Sequence, residues 1–145
     1  MVQCAVMSDM KIATLVACVA AVGLGGAGIA AAAACGLATG EGSVWVTDCT
    51  SPTLVRIDPA QTVVAETIGL PNDPGSALVE QATGEVAVGA GSVWVAQGDF
   101  NPSWVDRLDP KTGRVQKRIR IPEVGANALA FGDGALWVVS GFKGY

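Results

Sequence analysis

Gly40-Glu41-Gly42-Ser43-Val44-Trp45-Val46 recurs as Gly89-Ala90-Gly91-Ser92-Val93-Trp94-Val95, and again as Gly132-Asp133-Gly134-Ala135-Leu136-Trp137-Val138. The copies lie 49 residues apart (Gly42 to Gly91) and then 43 (Gly91 to Gly134). Each follows a short run of small and apolar residues: Leu37-Ala38-Thr39, Val86-Ala87-Val88 and Leu129-Ala130-Phe131. A Gly-x-Gly between two such runs reads as a hairpin turn, because glycine supplies the positive φ that β-branched residues resist. Val-Trp-Val is apolar at successive positions, which suits a strand buried on both faces.

The second half of the unit repeats too. Leu54-Val55-Arg56-Ile57-Asp58-Pro59 matches Val105-Asp106-Arg107-Leu108-Asp109-Pro110, and strand-like residues follow each, over 62–68 and 114–120. Asp109-Pro110-Lys111-Thr112-Gly113 is a turn: Asp opens it, Pro fixes φ, and Gly takes the left-handed site. The first copy has Thr62 where the second has Gly113, so its turn is expected to be tighter or strained. One unit therefore holds four short antiparallel strands. Four-stranded units of this length are the blades of a β-propeller.

The expected fold is all-β: a partial propeller over 36–145, with blades at about 36–72 and 84–122 and the start of a third at 127–145. Trp45, Trp94 and Trp137 are read as packing between blades, and Gly42, Gly91 and Gly134 as turn glycines of the repeat. Closing a ring takes roughly four to eight blades. The sequence thus reads as part of a longer propeller, with open blade faces prone to self-association.

Residues 1–35 read differently. Met10-Lys11 leads into an uncharged run from Ile12 to Cys35, rich in Ala and Gly from Ala20 onward. A basic residue, an apolar region and a small-residue exit make an export signal; its length also suits a membrane-anchoring helix. The expected location is extracytoplasmic. Met10 reads as a natural start. Cys35 has three readings: lipidation after Ala32-Ala33-Ala34, a disulfide with Cys49, since hairpin pairing brings the two to the open ends of adjacent strands, or two unpaired cysteines.

The blade pattern Gly91-Ser92-Val93-Trp94-Val95-Ala96 with Arg107-Leu108-Asp109-Pro110-Lys111-Thr112-Gly113-Arg114-Val115 resembles the YVTN/YncE-like and virginiamycin B lyase-like superfamily of seven-bladed β-propellers. The resemblance covers essentially all of 36–145. It implies the fold, while the motif itself is scaffold. Lyase members open a cyclic depsipeptide by elimination using His residues and Mg²⁺; other relatives are exported proteins with binding roles, or are associated with DNA.

This chain of 145 residues contains no His. The usual general base and the usual metal ligand are both missing, so no catalytic residue carries over from the lyases. A net charge of −4 argues against a general nucleic-acid binder. The basic run Lys111, Arg114, Lys117, Arg118 and Arg120 reads as a charged outer edge strand that discourages pairing with other chains, with Arg114, Arg118 and Arg120 on one face. Asp48, Asp99 and Asp106 read as solvated turn residues near the ends of the Trp strands, with oxygen ligation of Mg²⁺ or Ca²⁺ as their alternative role. No phosphate loop, dinucleotide fingerprint or nucleophile elbow is present. The expected function is a non-catalytic binding scaffold for a ligand or protein partner, without cofactor; the alternative is a virginiamycin B-type lyase lacking its catalytic blades.

Overall fold

The three Gly-x-Gly hairpins all form with the expected strands on either side. In the computed structural model the described residues are 34–72, 83–98, 103–121 and 125–140. Residues 1–33 of the expected export segment (1–35), and Asp99, lie outside the described residues. All belong to one unit, Ala33–Tyr145.

Among the described residues, ten strands make three antiparallel sheets. The first runs in order through β1 (Ala34–Gly40), β2 (Ser43–Asp48), β3 (Thr53–Asp58) and β4 (Val63–Gly69). The second runs through β5 (Thr83–Gly89), β6 (Ser92–Gln97), β7 (Ser103–Leu108) and β8 (Val115–Ile121), and the third pairs β9 (Ala126–Gly132) with β10 (Ala135–Ser140). The sheets approach each other through their first strands, β1 to β5 and β5 to β9.

The three tryptophans occupy equivalent positions. Trp45 faces Ala38 across its hairpin, Trp94 faces Ala87 and Trp137 faces Ala130. Each indole Nε1 donates to the carbonyl five residues earlier: Gly40 at 3.1 Å, Gly89 at 3.2 Å and Gly132 at 3.1 Å. Burial is what separates them. Trp45 is 1% exposed and Trp94 half-buried, whereas Trp137 is 61% exposed. Trp45 and Trp94 each face the next sheet along, and among the described residues Trp137 has none to face. Trp45, Leu54 and Ile68 pack on Val86, Val93, Val95 and Leu108. Trp94 lies with Ala96 and Val105 against Ala126, Leu129, Leu136 and Val138. Val93 and Val95 thus pack backward while Trp94 packs forward, which is why Val-Trp-Val is apolar throughout.

The turns refine the expectation. Positive φ falls on the middle residue and the second glycine: Glu41 (51°) with Gly42 (72°), Ala90 (52°) with Gly91 (65°), Asp133 (51°) with Gly134 (76°). Two consecutive positive φ values define the turn whose twist matches the flanking strands. The first glycine serves packing, although Gly40 also has a positive φ, 157°. A Cβ on Gly40 would lie 2.5 Å from Val88 Cγ1, and one on Gly89 would lie 2.1 Å from the Phe131 ring. In the Asp-Pro turns Thr62 takes φ 57° and Gly113 φ 65°, with matching bonds from Thr62 N to Asp58 O (2.8 Å) and Gly113 N to Asp109 O (2.9 Å). The first turn is therefore not tighter; it is the same turn, with a β-branched residue at the left-handed position.

Candidate ligand-binding site

A cavity of about 250 Å³ opens where the first strands begin and β6 ends, lined by Cys35, Gly84, Glu85, Ala96, Gln97, Gly98, Ala126 and Asn127. Its wall comes from three irregularities at matching places. β1 shifts register between Ala34 and Leu37, and β5 between Thr83 and Val86. In the third sheet the shift puts Asn127 between the pairs Val139 with Ala128 and Ser140 with Ala126. A bulge re-aims side chains out of the pleat, and bulges concentrate beside functional sites. Here they supply Cys35, Gly84, Glu85 and Asn127.

Short contacts hold the bulges together. Gly36 N donates to Thr47 Oγ1 at 2.8 Å, and that hydroxyl donates to Gly84 O at 2.5 Å. Gly36 has no space for a side chain, since a Cβ would lie 2.9 Å from Thr47 Oγ1 and 3.0 Å from Gly84 O. Cys35 and Cys49 form a disulfide, with Cα atoms 5.2 Å apart. It ties the first bulge to the segment after β2. On the other side Ser103 Oγ donates to Gly98 O (3.1 Å) and accepts from Gly125 N (3.0 Å).

Behind Gln97 lies a buried polar group. Arg118 donates through Nε to Asp106 Oδ1 at 2.8 Å and through Nη2 to Asp106 Oδ2 at 3.0 Å. The same Nη2 donates to Gln97 Oε1 at 2.6 Å and to the Pro71 carbonyl. Asp106 is fully buried. The Arg118 guanidinium also lies over the Trp104 ring, 5.4 Å from its centroid.

Two expectations are corrected here. Asp106 is not in a connection after a Trp strand: it sits inside β7, paired with Val95 on one side and Arg118 on the other. β8 is the outer edge strand, as expected, but Arg118 is paired, its guanidinium bonded to Asp106. Arg118 and Arg120 share one strand face, and Arg114 does not join them. Arg114 precedes β8, and a bulge between the pairs Arg107 with Lys117 and Leu108 with Val115 breaks the alternation. Lys111 begins the turn, its amide donating to Asp109 Oδ1 at 2.8 Å.

Asp48 and Asp106 serve different structures, so the metal alternative finds no cluster between them. The Asp48 carboxylate folds back on its own loop, accepting from Thr50 N (2.8 Å), Thr50 Oγ1 (2.7 Å) and Ser51 Oγ (2.7 Å). Partial burial opposes its ionisation, but these bonds outweigh burial and hold the carboxyl below its ordinary value. Asp109, bonded by the amides of Lys111 and Thr112, is lowered likewise. Among the described residues no three His, Cys, Asp or Glu side chains are placed to hold a metal ion.

Gln97, Glu85 and Asn127 drew no notice in the sequence. A signal was present in the repeat itself. Aligning the sheets on their tryptophans sets Gln97 against Asp48, Asp106 against Val55 and Arg118 against Thr67. The first sheet folds without this polar group, so the scaffold does not require it.

Comparison of the fold decides its class. The chain resembles the crystal structure of Myxococcus xanthus glutaminyl cyclase, with a TM-score of 0.52 at 18% identity. The fold is of the β-propeller type. The match covers 77% of this chain and 52% of that protein, so this chain spans about half its length. Identity this low speaks for the fold alone. No protein-family model matches the sequence, and no curated protein matches it.

Proposed function

We propose that this chain is the propeller portion of an extracytoplasmic binding protein, whose ligand enters the cavity formed by the three bulges and is held without being converted. The observation that carries the reading is the cavity that Cys35, Glu85 and Asn127 line together, each supplied by an irregularity at a matching place in its sheet. Loops and strand ends on a rigid scaffold are where recognition residues concentrate. The Cys35–Cys49 bridge supports an oxidising compartment and favours the disulfide reading over lipidation of Cys35, since one sulfur cannot serve both. The finer assignment to the YVTN/YncE-like and virginiamycin B lyase-like superfamily rests on the blade motif. The lyase alternative has no residue here to carry it, because its chemistry needs His.

The test is a thermal-shift screen of small amines, amides, sugars and carboxylates on the wild type and on Gly84→Leu. A Cβ on Gly84 would meet Ala96 Cβ at 3.6 Å, ordinary contact, so the backbone there admits a side chain, and a leucine is expected to occupy cavity space. Ligands that stabilise the wild type are expected to lose their effect on Gly84→Leu. Binding that survives the substitution, or no binding from any class, rejects the reading.

A further inference from the structure

We infer that the outer edge of β10 is a docking site for one extended strand from outside these 145 residues, which pairs antiparallel with β10 and sets an arginine opposite Trp137. The surface lies apart from the cavity, so the inference stands or falls independently of the binding role proposed above.

The backbone invites a strand. In the two four-stranded sheets the Trp strand is paired on both sides, β2 between β1 and β3, and β6 between β5 and β7. β10 is the equivalent strand, and among the described residues it pairs with β9 alone. An edge strand presents a row of open N–H and C=O groups, and charged side chains are a common guard against another strand joining it. β8 carries Lys117, Arg118 and Arg120, and β4 carries Glu66. β10, Ala135-Leu136-Trp137-Val138-Val139-Ser140, carries no charge, and its Trp137 and Val139 are exposed. The five residues that follow Ser140 in this sequence are about as many as connect β2 to β3 or β6 to β7, too few to supply the strand as well.

The other sheets state what that strand carries. Trp45 is paired with Arg56 and Trp94 with Arg107, and the Arg107 guanidinium lies over the Trp94 ring, 5.3 Å from its centroid. A cation over an indole face is favourable, and the Trp137 indole is held by Gly132 O as its two counterparts are held. Beside that arginine the first sheet sets Val55 against Val46 and Ile57 against Val44, so branched aliphatic residues belong against Val138 and Leu136. The second sheet offers them a surface. Trp45 and Ile68, facing a four-stranded sheet, are buried; Trp94 and Ile119, their equivalents facing a two-stranded one, are half-buried. Charge specifies the far end. Arg56 is paired with Glu66 at 3.4 Å and donates to Pro110 O, in the turn after the next sheet's third strand, at 3.1 Å. In the second sheet Arg107 stands opposite Lys117 instead, and two cations in that place favour an acidic residue in the corresponding turn. The occupant is thus a segment reading aliphatic, arginine, aliphatic, acidic.

The experiment titrates the full chain with a synthetic peptide of residues 51–59, Ser-Pro-Thr-Leu-Val-Arg-Ile-Asp-Pro, which has this pattern, and follows the assigned indole N–H resonances by NMR. The Trp137 resonance is expected to move and the Trp45 resonance to stay. Arg56→Ala in the peptide, or Trp137→Ala in the protein, should weaken binding roughly two- to fivefold, the worth of an exposed cation–π contact. Retained folding of Trp137→Ala is checked by its unchanged Trp45 indole. Two further peptides carry methyl groups on alternate backbone amides, one set on each edge of the extended strand. One should bind like the parent and the other not at all, because only one edge pairs with β10. A Trp137 resonance that ignores the peptide overturns the inference, as does equal binding of the two methylated peptides, which marks adhesion to the apolar face. Movement of Trp137 with chain concentration alone gives the surface to a second copy and overturns it too.

Discussion

The Phe131 ring stacks on the Trp94 ring, with centroids 6.5 Å apart and planes 17° from parallel. The contact exists because Gly89 has no Cβ, leaving the room that Phe131 fills. Val88 stands to Gly40 as Phe131 stands to Gly89, one sheet earlier. A glycine of one sheet thus receives a side chain of the next, and the Trp beside it covers the contact. Gly132, third in the series, meets nothing within 4 Å among the described residues.

The glycine series predicts unequal costs for one chemical change. Gly89→Ala should destabilise the chain by roughly 2–3 kcal/mol, since overpacked cores lose about this much and Phe131 cannot withdraw from the sheet interface. Gly132→Ala should be neutral or stabilising by up to about 1 kcal/mol, because alanine orders more readily than glycine in a strand. Urea denaturation of both variants is the check, and equal effects would contradict the interlocking role.

Thr62 sits at φ 57° in a turn where the equivalent residue is Gly113 at φ 65°. A left-handed conformation costs a non-glycine residue roughly 1–2 kcal/mol, which the freedom of an unfolded glycine partly offsets. Thr62→Gly should therefore stabilise by about 0.5–1 kcal/mol by the same balance. Calorimetry showing a lower melting temperature would mean that the Thr62 side chain holds the turn in some other way.

Asp106 and Arg118 replace Val55 and Thr67 of the first sheet. Asp106→Val alone leaves Arg118 facing the sheet interface without its carboxylate, and should cost about 3–5 kcal/mol. Adding Arg118→Thr copies the first sheet's solution and should recover more than half of that loss. A double-mutant cycle measures the coupling; additive losses would show that the pair acts independently.

Acid should loosen the segment that carries Cys49. The Asp48 carboxyl is held below its ordinary value, so the folded state binds its proton less readily than the unfolded chain. The resulting stability is present above about pH 4 and is lost as pH falls through the depressed value. Asp109, lowered by the Lys111 and Thr112 amides, adds loss of the same sign. Asp48→Asn, which has no proton to gain, should lose less stability than the wild type between pH 5 and pH 3 in urea melts. Equal losses would remove Asp48 from the acid response.

The fold was legible because the repeat states it several times. Three tryptophans at like spacing, three Gly-x-Gly turns and two Asp-Pro turns fix strand order and register locally, and the structure places all of them as the repeat implies. The cavity was not legible in that way. Gln97 in its lining, and Asp106 and Arg118 behind it, are departures from the repeat: they stand where the first sheet has Asp48, Val55 and Thr67. Asp106 read as a loop carboxylate and Arg118 as an edge charge because composition cannot show which of a strand's two faces a neighbour covers. Bulges conceal the rest, since one extra residue shifts the face of everything beside it. Arg114 was misassigned for that reason, and Glu85 and Asn127 went unnoticed.

That successive sheets stack so that Trp45 and Trp94 each face the next is tested most directly by solvent exposure of the indoles. A soluble paramagnetic probe, added while the assigned indole N–H resonances are recorded, should broaden Trp137 most, Trp94 less and Trp45 least. That order follows from exposures of 61% at Trp137 and 1% at Trp45, with Trp94 between. Trp137 protected as well as Trp45, or Trp45 broadened as strongly as Trp137, would contradict the stacking.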